Sequence, residues 1–158
     1  MKVALWMIGK TAFAYLREGE ALYTKRLGRY LPFETLVLPD VKGAKKMSAA
    51  QLRQREGETI LGRLKPEDRL ILLDERGTLR GSVAFAHYLD QQLQGGRGRL
   101  IFLIGGAYGF SDAVYERAAA KWSLSPLTLS HQMIRIFVLE QLYRACTILR
   151  NEPYHNEG

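Results

Sequence analysis

In the second half of the chain an aliphatic run, Leu100-Ile101-Phe102-Leu103-Ile104, ends on three glycines within five positions, Gly105-Gly106-Ala107-Tyr108-Gly109. A continuous apolar run closed by glycine reads as a strand buried on both faces, and backbone freed of side chains at its carboxyl end lets a ligand approach closely. That stretch is the expected floor of a binding site. Its G-G-x-x-G spacing is not a dinucleotide fingerprint, no phosphate-loop Gly-Lys-Ser/Thr occurs, and no acidic residue ends a strand about 20 residues further on to take a ribose. A second group, Glu140, Arg144 and Thr147, falls at i, i+4 and i+7 and lays a polar seam along an otherwise apolar helix. A charge pair so placed serves structure as readily as chemistry, and the spacing leaves both open. The histidines His87, His131 and His155 lack metal-ligand spacing, so no metal site is expected. Cys146 is the single cysteine, which excludes an internal disulfide, and its apolar neighbours make it a buried small hydrophobe.

Strands and helices alternate around these groups. Residues 2–8 read as a first strand closed by Gly9, residues 11–30 as a helix, and residues 33–38, between Pro32 and Pro39, as a second strand. Residues 40–47 form a polar, Lys-rich loop suited to RNA contact. Ser48 is placed to cap a helix ending near Gly62, Pro66 precedes a strand over residues 69–73, and Asp74-Glu75-Arg76-Gly77 reads as a turn. Ser82 is placed to cap the next helix, which leads through Gly95-Gly96-Arg97-Gly98 into the glycine-ended strand. Beyond it Ser111 caps a short helix to about Ala120, residues 122–130 form a strand and loop, and Ser130 caps a last helix over residues 131–150. This β-α alternation implies an α/β fold with a mostly parallel sheet whose ligands lie outside the carboxyl ends of the strands, at Leu73 and Ile104. The last helix is apolar nearly all round, so it must bury more than one face: one against the sheet and one, most simply, against a second subunit across a two-fold axis.

With 158 residues and 47% hydrophobic composition, one compact domain over the whole chain is expected. The longest apolar run, residues 3–8, is too short for a membrane span or a signal-peptide core, so a cytoplasmic protein without membrane partners is expected. The net charge of +7 is uneven. Residues 1–69 carry 14 Lys/Arg against 8 Asp/Glu and residues 70–158 carry 9 against 8, so the basic excess faces a polyanion from the first half while the glycine-ended strand lies in the second. A merely solvated basic surface gives the same count.

Four motifs in order carry a resemblance: Ile104-Gly105-Gly106-Ala107-Tyr108-Gly109, then Trp122-Ser123-Leu124-Ser125-Pro126-Leu127-Thr128-Leu129-Ser130-His131, then Glu140-Gln141-Leu142-Tyr143-Arg144-Ala145, and Pro153-Tyr154-His155. Together with the Lys-Val-Ala-Leu-Trp opening they resemble the RlmH family, the large-subunit ribosomal RNA pseudouridine N3-methyltransferases, a minimal branch of the SPOUT (α/β-knot) methyltransferases. The resemblance implies a C-terminal trefoil knot, which general topology rules argue against because true knots are rare. It also implies a homodimer, S-adenosylmethionine as cofactor, and ribosomal RNA within the large subunit or assembled ribosome as partner, without metal or membrane. Carried over by motif, the cofactor contacts fall on Leu73, on Gly105, Gly106 and Gly109, and on Leu124, Ser125, Pro126, Leu127, Thr128 and Leu129. Methyl transfer to N3 needs positioning and help with the N3 proton, and the groups in reach are His155 and Tyr154 of the tail with Arg144 and Glu140 of the last helix. Two rival readings remain at this level: a non-catalytic ribosome- or RNA-binding protein that keeps the fold, and an ordinary α/β domain binding NAD or ATP.

Overall fold

A computed structural model of the chain describes residues 1–156, so Glu157 and Gly158 lie outside the described residues. Five strands, β1 (Lys2–Ile8), β2 (Phe33–Leu38), β3 (Arg69–Leu79), β4 (Arg99–Ile104) and β5 (Ala120–Ser123), alternate with five helices, α1 (Ala14–Leu27), α2 (Ala49–Arg63), α3 (Ser82–Gln94), α4 (Asp112–Arg117) and α5 (Met133–Leu149). The strands form one sheet in the order β2-β1-β4-β3-β5, every pairing parallel. The central strands β1, β3 and β4 are buried on both faces over their apolar runs, as parallel sheets between helix layers require. One face (Val3, Leu5, Ile71, Leu100, Phe102) packs on α1, α3 and α5, with Val138, Leu139 and Leu142 at its centre. The other (Ala4, Trp6, Leu70, Leu72, Ile101, Leu103) takes Ile60 of α2 and Val114 of α4.

The expected α/β architecture with a parallel sheet is the observed one, and several local expectations are corrected. Ser48 caps α2 with a reciprocal capping box, its Oγ accepting from the Gln51 N–H while Gln51 Oε1 accepts from the Ser48 N–H. Ser111 caps α4, which stops at Arg117 rather than near Ala120. Ser82 is not a cap: Gly81 precedes the helix, and the Ser82 hydroxyl donates across to Gln141 Oε1 at 3.2 Å. Ser130 does not cap α5 either. It forms a local turn in which its Oγ accepts from the Gln132 N–H, and the helix starts at Met133. The first helix is shorter than residues 11–30, beginning after Phe13 and ending at Leu27 before Gly28.

The largest correction concerns residues 74–79. They continue β3 instead of turning away, and the β5 register jumps from Leu73↔Trp122 to Thr78↔Trp122. The offset makes Asp74, Glu75 and Arg76 bulge out of the β5 ladder beside the cavity at the strand ends. Gly77 makes this possible, because a Cβ there would lie 2.7 Å from the Lys121 and Trp122 backbone.

Candidate active site

At the carboxyl ends of β3, β4 and β5 lies a cavity of about 410 Å³. This is where open parallel sheets hold ligands, because loops diverge there and leave backbone N–H and C=O groups unused. Of the ten residues expected to meet the cofactor, nine line it: Leu73, Gly105, Gly106, Gly109, Leu124, Ser125, Leu127, Thr128 and Leu129. Pro126 does not. It sits exposed at the apex of a serine-stabilised turn, where the Leu127 N–H donates to Ser125 Oγ at 3.0 Å and Ser123 Oγ donates to the Ser125 carbonyl at 3.0 Å. Ile104, Ala107, Phe110, Trp122 and Ile134 add to the apolar part of the lining.

Two of these glycines also make room for the protein itself. A Cβ on Gly105 would lie 2.9 Å from the Phe110 ring, and one on Gly106 would meet the Glu56 carboxyl at 2.5 Å. The room at both is taken by the protein's own side chains. Gly109, with φ +78°, closes a tight turn on Gly106 by an N–H to carbonyl bond of 3.2 Å, and only there does the missing side chain leave open space.

The residues that the sequence left without a role are the polar ones of the β3 offset. Tyr115 donates to Asp74 Oδ2 at 2.5 Å and accepts from Arg76 Nη2 at 3.0 Å, and Asp74 Oδ1 accepts from the Arg76 N–H. Burial opposes ionisation of Asp74, but the bonds from Tyr115 and Arg76 outweigh it and hold the carboxyl below its ordinary range. Tyr115 is pushed up, first by burial and then by Asp74. Thr128 donates to Glu75 Oε2 at 3.0 Å, tying the loop after β5 to the β3 offset across the cavity. A longer strand with a register offset has no signature in the Asp-Glu-Arg-Gly sequence, which is why these residues read as a turn.

Arg135 was also hidden, inside a helix that reads as apolar. It is 1% exposed, and among the described residues none of its hydrogen bonds goes to a carboxylate. Its guanidinium instead donates to the Ile8 and Gly9 carbonyls at 2.8 and 2.9 Å, to Thr11 Oγ1 at 3.0 Å and to the His131 carbonyl at 3.1 Å. The carboxyl end of β1 is thereby joined to the start of α5, beside the cavity that His131 and Ile134 line.

The structure brings Glu140, Arg144, Tyr154 and His155 together. Glu140 Oε1 accepts from Arg144 Nε at 3.0 Å, from Arg144 Nη2 at 2.6 Å and from Tyr154 Oη at 3.0 Å, while Oε2 accepts from Gln141 at 2.8 Å. Both carboxylate oxygens are engaged. Arg144 Nη1 lies 3.1 Å from His155 Nδ1. A guanidinium has only donors, so this contact requires the lone pair on Nδ1, and the ring proton then sits on Nε2. Burial, Tyr23 and Glu140 push the Tyr154 phenol well above its ordinary range, so it stays a donor. Thr147 stands apart from this seam: it is fully buried and donates back to the Arg144 carbonyl.

The tail that completes the cluster is pinned. Tyr30 donates to Glu152 Oε2 at 2.5 Å, a bond that pushes the Tyr30 phenol up to about 12, and the Glu152 N–H bonds the Thr147 carbonyl. Tyr154 stacks edge-on to Tyr143, centroids 4.7 Å apart, and Tyr143 packs on Tyr30 and Tyr23. Cys146 is buried, its thiol pushed up to about 11 by desolvation, as befits an inert core residue. Among the described residues no group of three or more His, Cys, Asp or Glu is placed to hold a metal ion, and no helix is long and apolar enough to cross a membrane.

Within one chain the cluster does not reach the cavity. Ile134 lines the cavity and Arg144 follows ten residues later on the same helix, about 15 Å along its axis at about 1.5 Å per residue.

A family model described as "Predicted SPOUT methyltransferase" matches residues 1–155. Three proteins named Ribosomal RNA large subunit methyltransferase H are similar over 99% of this chain and 100% of their own length: those of Cytophaga hutchinsonii (55% identical), Parabacteroides distasonis (51%) and Flavobacterium johnsoniae (48%). A solved putative methyltransferase from Legionella pneumophila, in complex with the bound cofactor SAM, aligns with a TM-score of 0.47 at 17% identity, covering 92% of this chain and 66% of its own. The match over nearly all of the sequence, on a parallel sheet with a ligand-sized cavity at its strand ends, establishes that the chain belongs to the SPOUT methyltransferase family.

Proposed function

We propose that this chain is a cytoplasmic, homodimeric, S-adenosylmethionine-dependent methyltransferase that modifies N3 of a pseudouridine in large-subunit ribosomal RNA, on the subunit or the assembled ribosome. The observation that carries the reading is the cavity at the ends of β3, β4 and β5, in a family member whose relatives bear the ribosomal RNA methyltransferase name. The cavity fits the cofactor's chemistry: an apolar wall of Leu73, Ile104, Trp122 and Leu124 suits an adenine ring, and Asp74 and Glu75 at the rim suit a cationic ligand. S-adenosylmethionine, when bound, supplies a methyl group activated by its sulfonium. Return of the chain from the edge strand β5 to α5, between α1 and α3, supports the family's knotted C-terminal segment.

The cluster's hydrogen bonds support a division of roles. Deprotonation of N3 leaves negative charge on the ring nitrogen and its flanking carbonyl oxygens, and groups that donate to that charge lower the barrier. Arg144 and the Nε2–H of His155 are such donors. Glu140, with both oxygens occupied, is a positioning residue that aims Arg144 and Tyr154, and the N3 proton passes to solvent. Separation of cluster and cavity within one chain, together with half-exposed Phe13, Tyr15, Leu22, Met133 and Phe137 along α1 and α5, supports a dimer built on this face. An isologous contact along α5 sets the cavity end of one helix against the cluster end of its partner. The test is mass-spectrometric mapping of large-subunit RNA nucleosides from a strain lacking the protein: loss of one methylated pseudouridine, restored by the gene, is expected, and an unchanged nucleoside profile sinks the proposal.

A further inference from the structure

We infer that Tyr108 is a stacking platform for a nucleobase of the RNA substrate, a specificity-determining position at the cavity mouth; the inference rests on the methyltransferase reading above. Tyr108 occupies the tip of the tight turn that Gly106 and Gly109 close, and lines the cavity while 57% exposed. Among the described residues neither its ring nor its hydroxyl has a hydrogen-bond, ionic or ring partner. Leu127, 72% exposed, lines the same cavity from the loop after β5. Two large apolar groups thus stand uncovered at one opening, where exposed apolar area marks a place for a ligand. The occupant follows from volume and charge. Ligand cavities run roughly 300–1,000 Å³, so about 410 Å³ holds one nucleoside-sized molecule, and a second reactant must meet it from the mouth. Arg76, which lines the cavity beside Asp74 and Glu75, and Lys121 both pack against the Tyr115 ring, 5.9 and 5.7 Å from its centroid, so two cations stand near the opening to meet the phosphates of a partner whose bases have exposed π-faces. A tyrosine ring on a short turn has few rotatable bonds to immobilise, so it presents a ready face.

The test measures methylation of large-subunit particles at varied particle concentration, with cofactor affinity by calorimetry and oligomeric state by sedimentation. Tyr108→Ala is expected to raise the KM for particles about tenfold or more, while cofactor affinity and oligomeric state stay as in the unsubstituted protein; Tyr108→Phe and Tyr108→Trp are expected to restore KM. An unchanged KM in Tyr108→Ala overturns the inference. So does a parallel loss of cofactor affinity, which would make Tyr108 part of the cofactor subsite, or a loss of the oligomer, which would make it a subunit contact. Failure of both aromatic variants to rescue also overturns it. If the unsubstituted protein methylates no particle RNA, it is the underlying functional reading that fails.

Discussion

At Glu140 one carboxylate holds three donors from two side chains on a single oxygen, so its charge matters more than its shape. Glu140→Gln is expected to lower kcat about 10- to 100-fold, since the guanidinium and phenol lose their shared anchor, while calorimetry finds cofactor affinity unchanged because Glu140 is not among the residues that line the cavity. Tyr154→Phe removes one hydrogen bond to that carboxylate and keeps the ring contact with Tyr143, while Glu140 still holds Arg144, so its loss of kcat is expected to stay under about tenfold and below that of Glu140→Gln. The resemblance made Glu140, Arg144, Tyr154 and His155 legible as a set, but only geometry shows that Glu140 is saturated and that His155 presents a donor. Hydrogen-bond direction is not written in residue order.

Among the elements, β3 and its partners carry the site. Gly77→Ala would drive a Cβ into the β5 backbone, which cannot give way as a flexible side chain can. Because β5 runs straight into the 124–131 loop, cofactor affinity by calorimetry is expected to fall about tenfold, for about 1.4 kcal/mol. Asp68, just before β3, is buried and bonded to Arg99 Nη2 at 2.5 Å and to the Lys65 N–H. Burial alone would raise its carboxyl, but Arg99 and the backbone bonds outweigh it and hold it below the ordinary value of 3.8. The depressed group contributes stability above pH 3.8 that is lost as pH falls through its lower folded value. Asp68→Ala is expected to cost about 3 kcal/mol in urea unfolding at pH 7 and to flatten the acid limb of the stability curve. The alternation of strands and helices and the buried apolar runs were legible because period and length survive in sequence. The β3 extension was not, because exposed pairing on one edge leaves no hydrophobic pattern, and Ser82 and Ser130 misled because a serine near a helix start has other partners within reach.

For the whole molecule the decisive question is whether one chain's cavity works with another's cluster. Chains carrying Gly105→Arg, mixed with chains carrying Glu140→Gln, are expected to regain about a quarter of the unsubstituted rate through heterodimers that hold one intact composite site; no recovery over either variant alone would place each site within a single chain. Charge reversal at the exposed Lys45 and Lys46 is expected to weaken RNA association and reduce the dependence of log K on log salt by about 0.7–0.9 for each phosphate that is no longer neutralised; an unchanged slope would leave that loop as solvated surface. Finally, the Arg135 bonds to Ile8 and Gly9 have a kinetic side. They join positions more than 120 residues apart, and the helix that carries Arg135 covers the sheet face that β1 begins. During synthesis that apolar face has only α1 and α3 over it until α5 has been made, so its closure is late and long-range, and folding is expected to be slow for a chain of this size.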